Sequence, residues 1–252
     1  AVYGYNFLLE KEEVQAIVNE GIKVKGDTNT FFLPSSTTGQ IVHHEGYSLS
    51  YHEQYEQAEW VAYELKKEHL SNTNFKRPYF EIDQAVKTKA AHWKNYKKSG
   101  YDRGHLCPAG DRKYSKEVHD ETFLTSNISP QTHDFNSGIW NSLEQKVRYW
   151  ANKYDGLYVV TGGVLNGDLP TIGDESVGVP YYFYKVLIDY NGEQPKAIAF
   201  LLEHEDTDRA LHHFVVPIDS IENLTGIDFF PNLEDTLEEQ LESSNDYKDW
   251  SF

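Results

Sequence analysis

YDRGHLCPAGDRKYS occupies residues 101–115. It places His105 beside Gly104, close to Arg103, Arg112 and Lys113, with Pro108 and Gly110 just after. Gly104 permits close backbone approach, or a φ that other residues avoid. Pro108 and Gly110 force a turn. The imidazole therefore lies on a short constrained stretch, which suits a positioned base. With an ordinary pKa of roughly 6.5 it can take a proton from water near neutral pH. On a strand, residues i and i+2 share a face, so Arg103 and His105 would present a guanidinium and an imidazole together. That pair can hold and attack a phosphate. Taken alone, the four letters DRGH are better explained by a histidine with ordinary structural hydrogen bonds.

The surrounding charge sharpens the question. The chain of 252 residues has a net charge of −17. Residues 76–116 nevertheless hold eleven lysines and arginines against four acids, and the remainder is strongly acidic. A polyanion would be repelled by most of this surface and drawn to one region. Lys94, Lys97, Lys98, Arg112 and Lys113 are the expected nucleic-acid contacts there. The same basic stretch could also be a solvated loop.

A second cluster lies downstream, SNISPQTHDFNSGIWNSLEQKVRYW at 126–150. Trp140, Leu143, Val147 and Trp150 recur at helical spacing and predict a helix over 136–153. Asn136, Trp140, Glu144 and Arg148 form a slanted stripe on it. On a regular helix Asn136 and Glu144 would lie about 12 Å apart. The spacing also suits Asn136 as a helix cap and Glu144–Arg148 as an ion pair.

The rest predicts an α+β fold. Helical patterns occupy 7–19, 115–124, 218–224 and 233–242. Strand patterns occupy 39–43, 47–51, 157–161, 179–189 and 197–202, without regular βαβ alternation. Residues 58–69 are ambiguous: propensity favours helix, while Val61, Tyr63 and Leu65 alternate as in a strand. The acidic end, 231–252, is expected to be solvated or frayed. No repeat or low-complexity linker divides the chain, which reads as a single domain over 1–252.

Composition excludes other classes. No apolar run reaches 18 residues, so a spanning helix and a membrane partner are not expected. A single cysteine, Cys107, forbids an intramolecular disulfide and leaves the compartment open. Cys107 reads as a small buried residue. His43–His44 and His212–His213 lack zinc-site spacing. TGGVLNG at 161–167 lacks a P-loop lysine, and Tyr181, Tyr182 and Tyr184 read as sheet packing rather than a base-stacking platform.

Together DRGHLCPAGD, SNISPQ and N-x-G-x-W-x-x-LE resemble the DNA/RNA non-specific endonucleases, relatives of mitochondrial endonuclease G. The motif block spans about 100–150, with weaker similarity on both sides. The resemblance implies a mixed or antiparallel sheet containing a ββα-metal (His-Me finger) motif, and a strand at 58–65. It implies His105 as general base, Asn136 as the protein ligand of a catalytic Mg²⁺, and Glu144 as the acid orienting water at the metal. Arg103 and Arg148 would engage the phosphate or support the site. Arg77 matches a phosphate contact, and Asn127 a support for the histidine region. Mn²⁺ or another divalent cation could replace Mg²⁺. Mg²⁺ keeps several waters, so one asparagine carbonyl leaves room for phosphate oxygens. The implied activity is hydrolysis of DNA and RNA to 5′-phosphate and 3′-hydroxyl ends. A catalytically silent nucleic-acid-binding relative, or an interaction protein using the acidic surface, are the alternatives. A homodimer and an inhibitor protein are further partners open to such a chain. The chain begins at Ala1 without a methionine, and the expectation is a processed, secreted or periplasmic protein.

Overall fold

The computed structural model describes residues 30–35, 38–191 and 194–252. The helix expected at 7–19 lies outside them. In chain order the strands are β1 (Gln40–His43), β2 (Ser48–His52), β3 (Gln57–Lys66) and β4 (Asp102–His105). After β4 come helix α1 (Lys116–Glu121), strand β5 (Ile128–Gln131) and a helical turn, His133–Phe135. That turn runs through a wide turn, Asn136–Trp140, into α2 (Asn141–Lys153). Then follow β6 (Gly156–Gly163), β7 (Thr171–Ile172), β8 (Val177–Gly178), β9 (Tyr182–Asp189) and β10 (Lys196–Glu203). Last come β11 (Val215–Val216), α3 (Ile218–Thr225) and α4 (Asp235–Glu242).

Seven strands form one sheet in the order β1-β2-β3-β6-β9-β10-β11, and its paired neighbours run antiparallel. Both faces are covered. Val61, Tyr63 and Leu65 of β3 pack with Trp140, Leu143, Val147 and Trp150 on the α2 side. Trp60 and Ala62 pack with Ile218, Ile221, Leu237 and Leu241 on the α3–α4 side. That settles the ambiguous segment: a strand buried on both faces loses the alternation of a half-solvated one. Segment 58–69 is therefore strand to Lys66, followed by a short 3₁₀ turn, Lys67–His69.

Strands β4 and β5 pair apart from this sheet, Asp102 opposite Gln131 and His105 opposite Ile128. With α2 they form a β-β-α unit. β7 and β8 form a separate small hairpin. Among the described residues no helix is long and apolar enough to cross a membrane.

One expectation holds only in part: residues 243–249 are exposed, as a solvated end would be. The acidic C-terminal end is nevertheless not frayed. Trp250 is buried, its ring 5.0 Å from that of Trp150, and Trp150 Nε1 donates to the Ser251 carbonyl at 3.0 Å. Leu233, Leu237 and Leu241 are buried as well. Among these anchors Asp235, Glu239, Asp246 and Asp249 are exposed, whereas Glu242 is buried.

Candidate active site

His105 ends β4, held from both sides. Its backbone pairs with Ile128. Just beyond, Leu106 N–H donates to the Asn127 carbonyl (2.9 Å) and Cys107 N–H to Asn127 Oδ1 (2.8 Å). Asn127 Nδ2 donates back to Cys107 O and to Thr122 O, both at 2.9 Å. Asn127 is fully buried, so it braces the histidine strand and touches nothing in solvent. Gly104 has no room for a side chain, because a Cβ there would overlap Gln131.

The His105 ring lies against Phe123 edge-on (5.0 Å) and Phe80 (5.7 Å). Its Nε2 is sealed from solvent with no hydrogen-bond partner, although the residue keeps partial exposure. Burial, then the charges of Arg77 and His119, push its pKa down to about 3. The imidazole is thus neutral at physiological pH. Two guanidinium groups stand around the same aromatic pair: Arg103 at 4.8 Å from Phe80, and Arg77 at 5.2 Å from Phe123. Neither forms an ion pair with a described residue.

Asn136 is tied to the opposite end of β4. Its Nδ2 donates to Asp102 Oδ2 at 3.0 Å, and His133 Nδ1 lies 2.9 Å from the same oxygen. The Asp102 hydrogen bond and charge raise the His133 pKa. Anchoring Nδ2 fixes the amide and leaves Oδ1 free among the described residues. Asp102 and His105 are three residues apart on β4, about 10 Å of strand. Asn136 opens the wide turn, not a regular helix. Gly138 within it has φ −94° and ψ −112°, and the Ile139 N–H donates to Asp206 Oδ1 at 3.3 Å. The regular-helix spacing of Asn136 and Glu144 therefore does not apply.

Glu144 and Arg148 lie one turn apart on α2, over a buried ionic cluster. Arg148 Nη1 donates to Asp111 Oδ1 at 2.8 Å, and Tyr63 donates to Asp111 Oδ2 at 2.9 Å. Gly110 leaves space for the Arg148 guanidinium, which a Cβ would approach to 3.1 Å. Lys185 of β9 is buried, with Nζ 4.7 Å from the Trp140 ring and donating to Thr161 Oγ1 at 3.2 Å. Burial raises the Glu144 pKa; Lys185 opposes that shift and Asp111 adds to it. Burial lowers the Lys185 pKa, which Glu144 counters.

A family model for DNA/RNA non-specific endonucleases matches residues 25–236. The chain belongs to the DNA/RNA non-specific endonuclease family. It is 33% identical over 223 residues to human mitochondrial endonuclease G, covering 82% of this chain and 74% of that protein. A nuclease of Nostoc sp. is 32% identical over 215 residues, covering 79% and 76%. A crystal structure of the EndoG/EndoGI complex, described as showing the mechanism of EndoG inhibition, matches with TM-score 0.74 and 28% identity. It covers 82% of this chain and 91% of that one. The family fold is the ββα-metal arrangement, and this member is a nuclease of nucleic-acid substrates.

Within this endonuclease fold, the structure brings Arg77, Arg103 and His105 together around Phe80 and Phe123. It ties Asn136 to the same strand. Arg148 is held by its ion pair with Asp111. One expected nucleic-acid contact is corrected. Arg112 is buried, with Nε donating to Gly46 O (2.8 Å), Nη1 to Asp111 O (3.0 Å) and Nη2 to Glu64 O (3.1 Å). It clamps three backbone segments and cannot reach a phosphate. Lys113 beside it is half-buried. Lys94, Lys97 and Lys98 are exposed along an open groove of about 690 Å³ facing 171–175. That groove also holds Asp174 and Glu175, and Glu175 accepts from His92 N–H and Asn95 Nδ2.

Sequence reasoning left Asp102, Asp111, Lys185 and Asp206 without roles. Lys185 carried a signal: a lysine inside the apolar run VPYYFYKVLID is a charge in a doubly buried strand. Asp206 carried none, being one acid among several in EHEDTD.

Proposed function

We propose that this nuclease cuts DNA and RNA by a one-metal mechanism, leaving 5′-phosphate and 3′-hydroxyl ends. His105 is the general base and Asn136 the protein ligand of a divalent cation, Mg²⁺ first. The observation that carries the proposal is the shared strand: His105 stands at one end of β4, and Asp102 fixes Asn136 at the other.

The donor set fits such an ion. Oxygen ligands suit Mg²⁺, and Asn136 Oδ1 is the amide atom left free when Nδ2 bonds Asp102. When bound, the cation would neutralise phosphate charge and stabilise the departing 3′ oxygen. The chain's own residues do the rest. Arg77 and Arg103 bind the scissile phosphate, having no carboxylate partner to leave among the described residues. The neutral His105 ring takes a proton from water as that water attacks phosphorus and the bond to O3′ breaks. With Nε2 sealed, Nδ1 is the nitrogen available for this step. Arg77 is the largest charge holding the ring's pKa down, so an arriving phosphate that neutralises it makes the base stronger. Glu144 accepts a hydrogen bond from water in the site, and Asn127 keeps the His105 strand in place. An inhibitor protein comparable to that of the solved relative would act by covering this arginine face.

The test is digestion of plasmid DNA and end-labelled RNA in Mg²⁺, with and without chelator, followed by end-group analysis. Chelation should abolish cutting. His105→Ala should lower turnover by at least about a hundredfold while nucleic acid is still bound. Asn136→Ala should lower both rate and metal affinity. Cutting that survives chelation discards the one-metal mechanism. Binding in chelator with no cutting in Mg²⁺ favours a silent nucleic-acid-binding relative.

A further inference from the structure

The three tyrosines read as sheet packing divide in the structure. Tyr184 is fully buried, but Tyr181 is 57% exposed and Tyr182 39% exposed. Both line a second cavity, of about 530 Å³, whose far wall is Tyr101 and Thr132. His204 ties these walls together. Its Nε2 accepts from Thr132 N–H and its Nδ1 donates to Pro180 O, both at 2.8 Å. That pair of bonds fixes one neutral tautomer, and burial lowers the ring's pKa further from charging. The cavity is therefore built and braced.

Three links join it to Asn136. Tyr101 directly precedes Asp102, which holds the Asn136 amide. Thr132 O accepts the Asn136 backbone N–H at 2.9 Å. Glu205, on the rim, directly precedes Asp206, which accepts from Ile139 in the turn that Asn136 opens.

The lining chemistry selects the occupant. It offers aromatic and proline faces with the carboxylates of Glu203 and Glu205, and no lysine or arginine among the described residues. A phosphate would be repelled. A nucleobase has a π-face for tyrosine to stack on, and its ring and amino N–H groups suit carboxylate acceptors. We propose that this cavity holds one unstacked nucleobase of the bound strand, beside the phosphate that is cut. This deepens the nuclease reading and rests on it. Adenine, cytosine and guanine, which carry amino groups, should occupy it better than thymine or uracil.

The test uses single-stranded DNA oligonucleotides that are identical except for one abasic position, with cleavage mapped bond by bond. For the unaltered enzyme, a bond beside the abasic position should be cut about tenfold more slowly than in the intact strand, the size of one lost stack. In Tyr181→Ala/Tyr182→Ala the two strands should be cut alike, at the slower rate. Tyr181→Phe, which keeps the ring, should retain the discrimination. A melting curve checks that the double variant is folded, and Tyr181→Ala alone replaces it if not. No discrimination by the unaltered enzyme, or discrimination unchanged in the alanine variants, overturns the proposal. If the unaltered enzyme cuts neither strand, the nuclease reading fails instead. Fluorescence anisotropy of the same two strands then reads the cavity: equal affinity overturns it, and weaker abasic binding upholds it.

Discussion

Lys185 is the residue on which the charge state of Glu144 turns. Burial favours the neutral form of each, and the charge of each opposes that shift in the other. Lys185→Met removes the attraction that lowers the Glu144 pKa, so that pKa rises further. If an ionised Glu144 is needed for turnover, activity falls as pH drops through that pKa. The acid limb of kcat/KM against pH should therefore move to higher pH, by about one unit or more. An unmoved acid limb would separate Lys185 from Glu144. The same cluster shows what a sequence can conceal. Arg112 sits in a basic stretch and looks like a nucleic-acid contact, yet its donors go to carbonyls of Gly46, Asp111 and Glu64. Two of those carbonyls, of Gly46 and Glu64, come from segments far from Arg112 along the chain, and charge counting along one window has no access to that. Asn127 was readable as a support for the histidine only through the family resemblance of SNISPQ.

At the scale of elements, the wide turn Asn136–Trp140 decides where the Asn136 amide, the proposed metal ligand, points. Gly138 is its hinge: its backbone leaves helical geometry, and a Cβ would run into the Asp206 carboxylate. Gly138→Ala should displace that carboxylate and rotate Asn136. Metal affinity should weaken and the rate at fixed Mg²⁺ should fall by about tenfold, with partial recovery at higher Mg²⁺. A wild-type Mg²⁺ titration curve would show that the turn tolerates the methyl group. The spacing of Trp140, Leu143, Val147 and Trp150 made α2 legible, because a helix packed on a sheet repeats its apolar face. The wide turn was not legible, since an added backbone residue in one turn leaves that apolar spacing intact after Trp140. The C-terminal segment misled for a different reason. Its acids outnumber its anchors, but Trp250 alone supplies a large buried area. Trp250→Ala should destabilise the fold by about 3–5 kcal/mol, measured by denaturant unfolding.

Across the whole chain, charge is divided along the sequence: residues 76–116 are basic and the remainder acidic. Binding that rests on phosphate contacts should weaken steeply with salt. A plot of log affinity against log salt for duplex DNA should be linear and negative, and flatter by about one unit when Arg77 is changed to Ala. A flat plot would detach the basic region from substrate. The fold class was legible because strand-like runs dominate after residue 157, whereas their order in the sheet was not. That order depends on β3 pairing with β6 across the whole β4–α2 excursion. The excursion also has a temporal consequence. Phe135 and Trp140 pack on Phe183 of β9, and Trp150 packs on Phe200 of β10. A nascent chain that has emerged only to Lys153 already contains every side chain of the proposed cutting machinery. It lacks the strands against which that machinery docks. Synthesis from the amino end thus leaves this docking incomplete until β9 and β10 have left the ribosome.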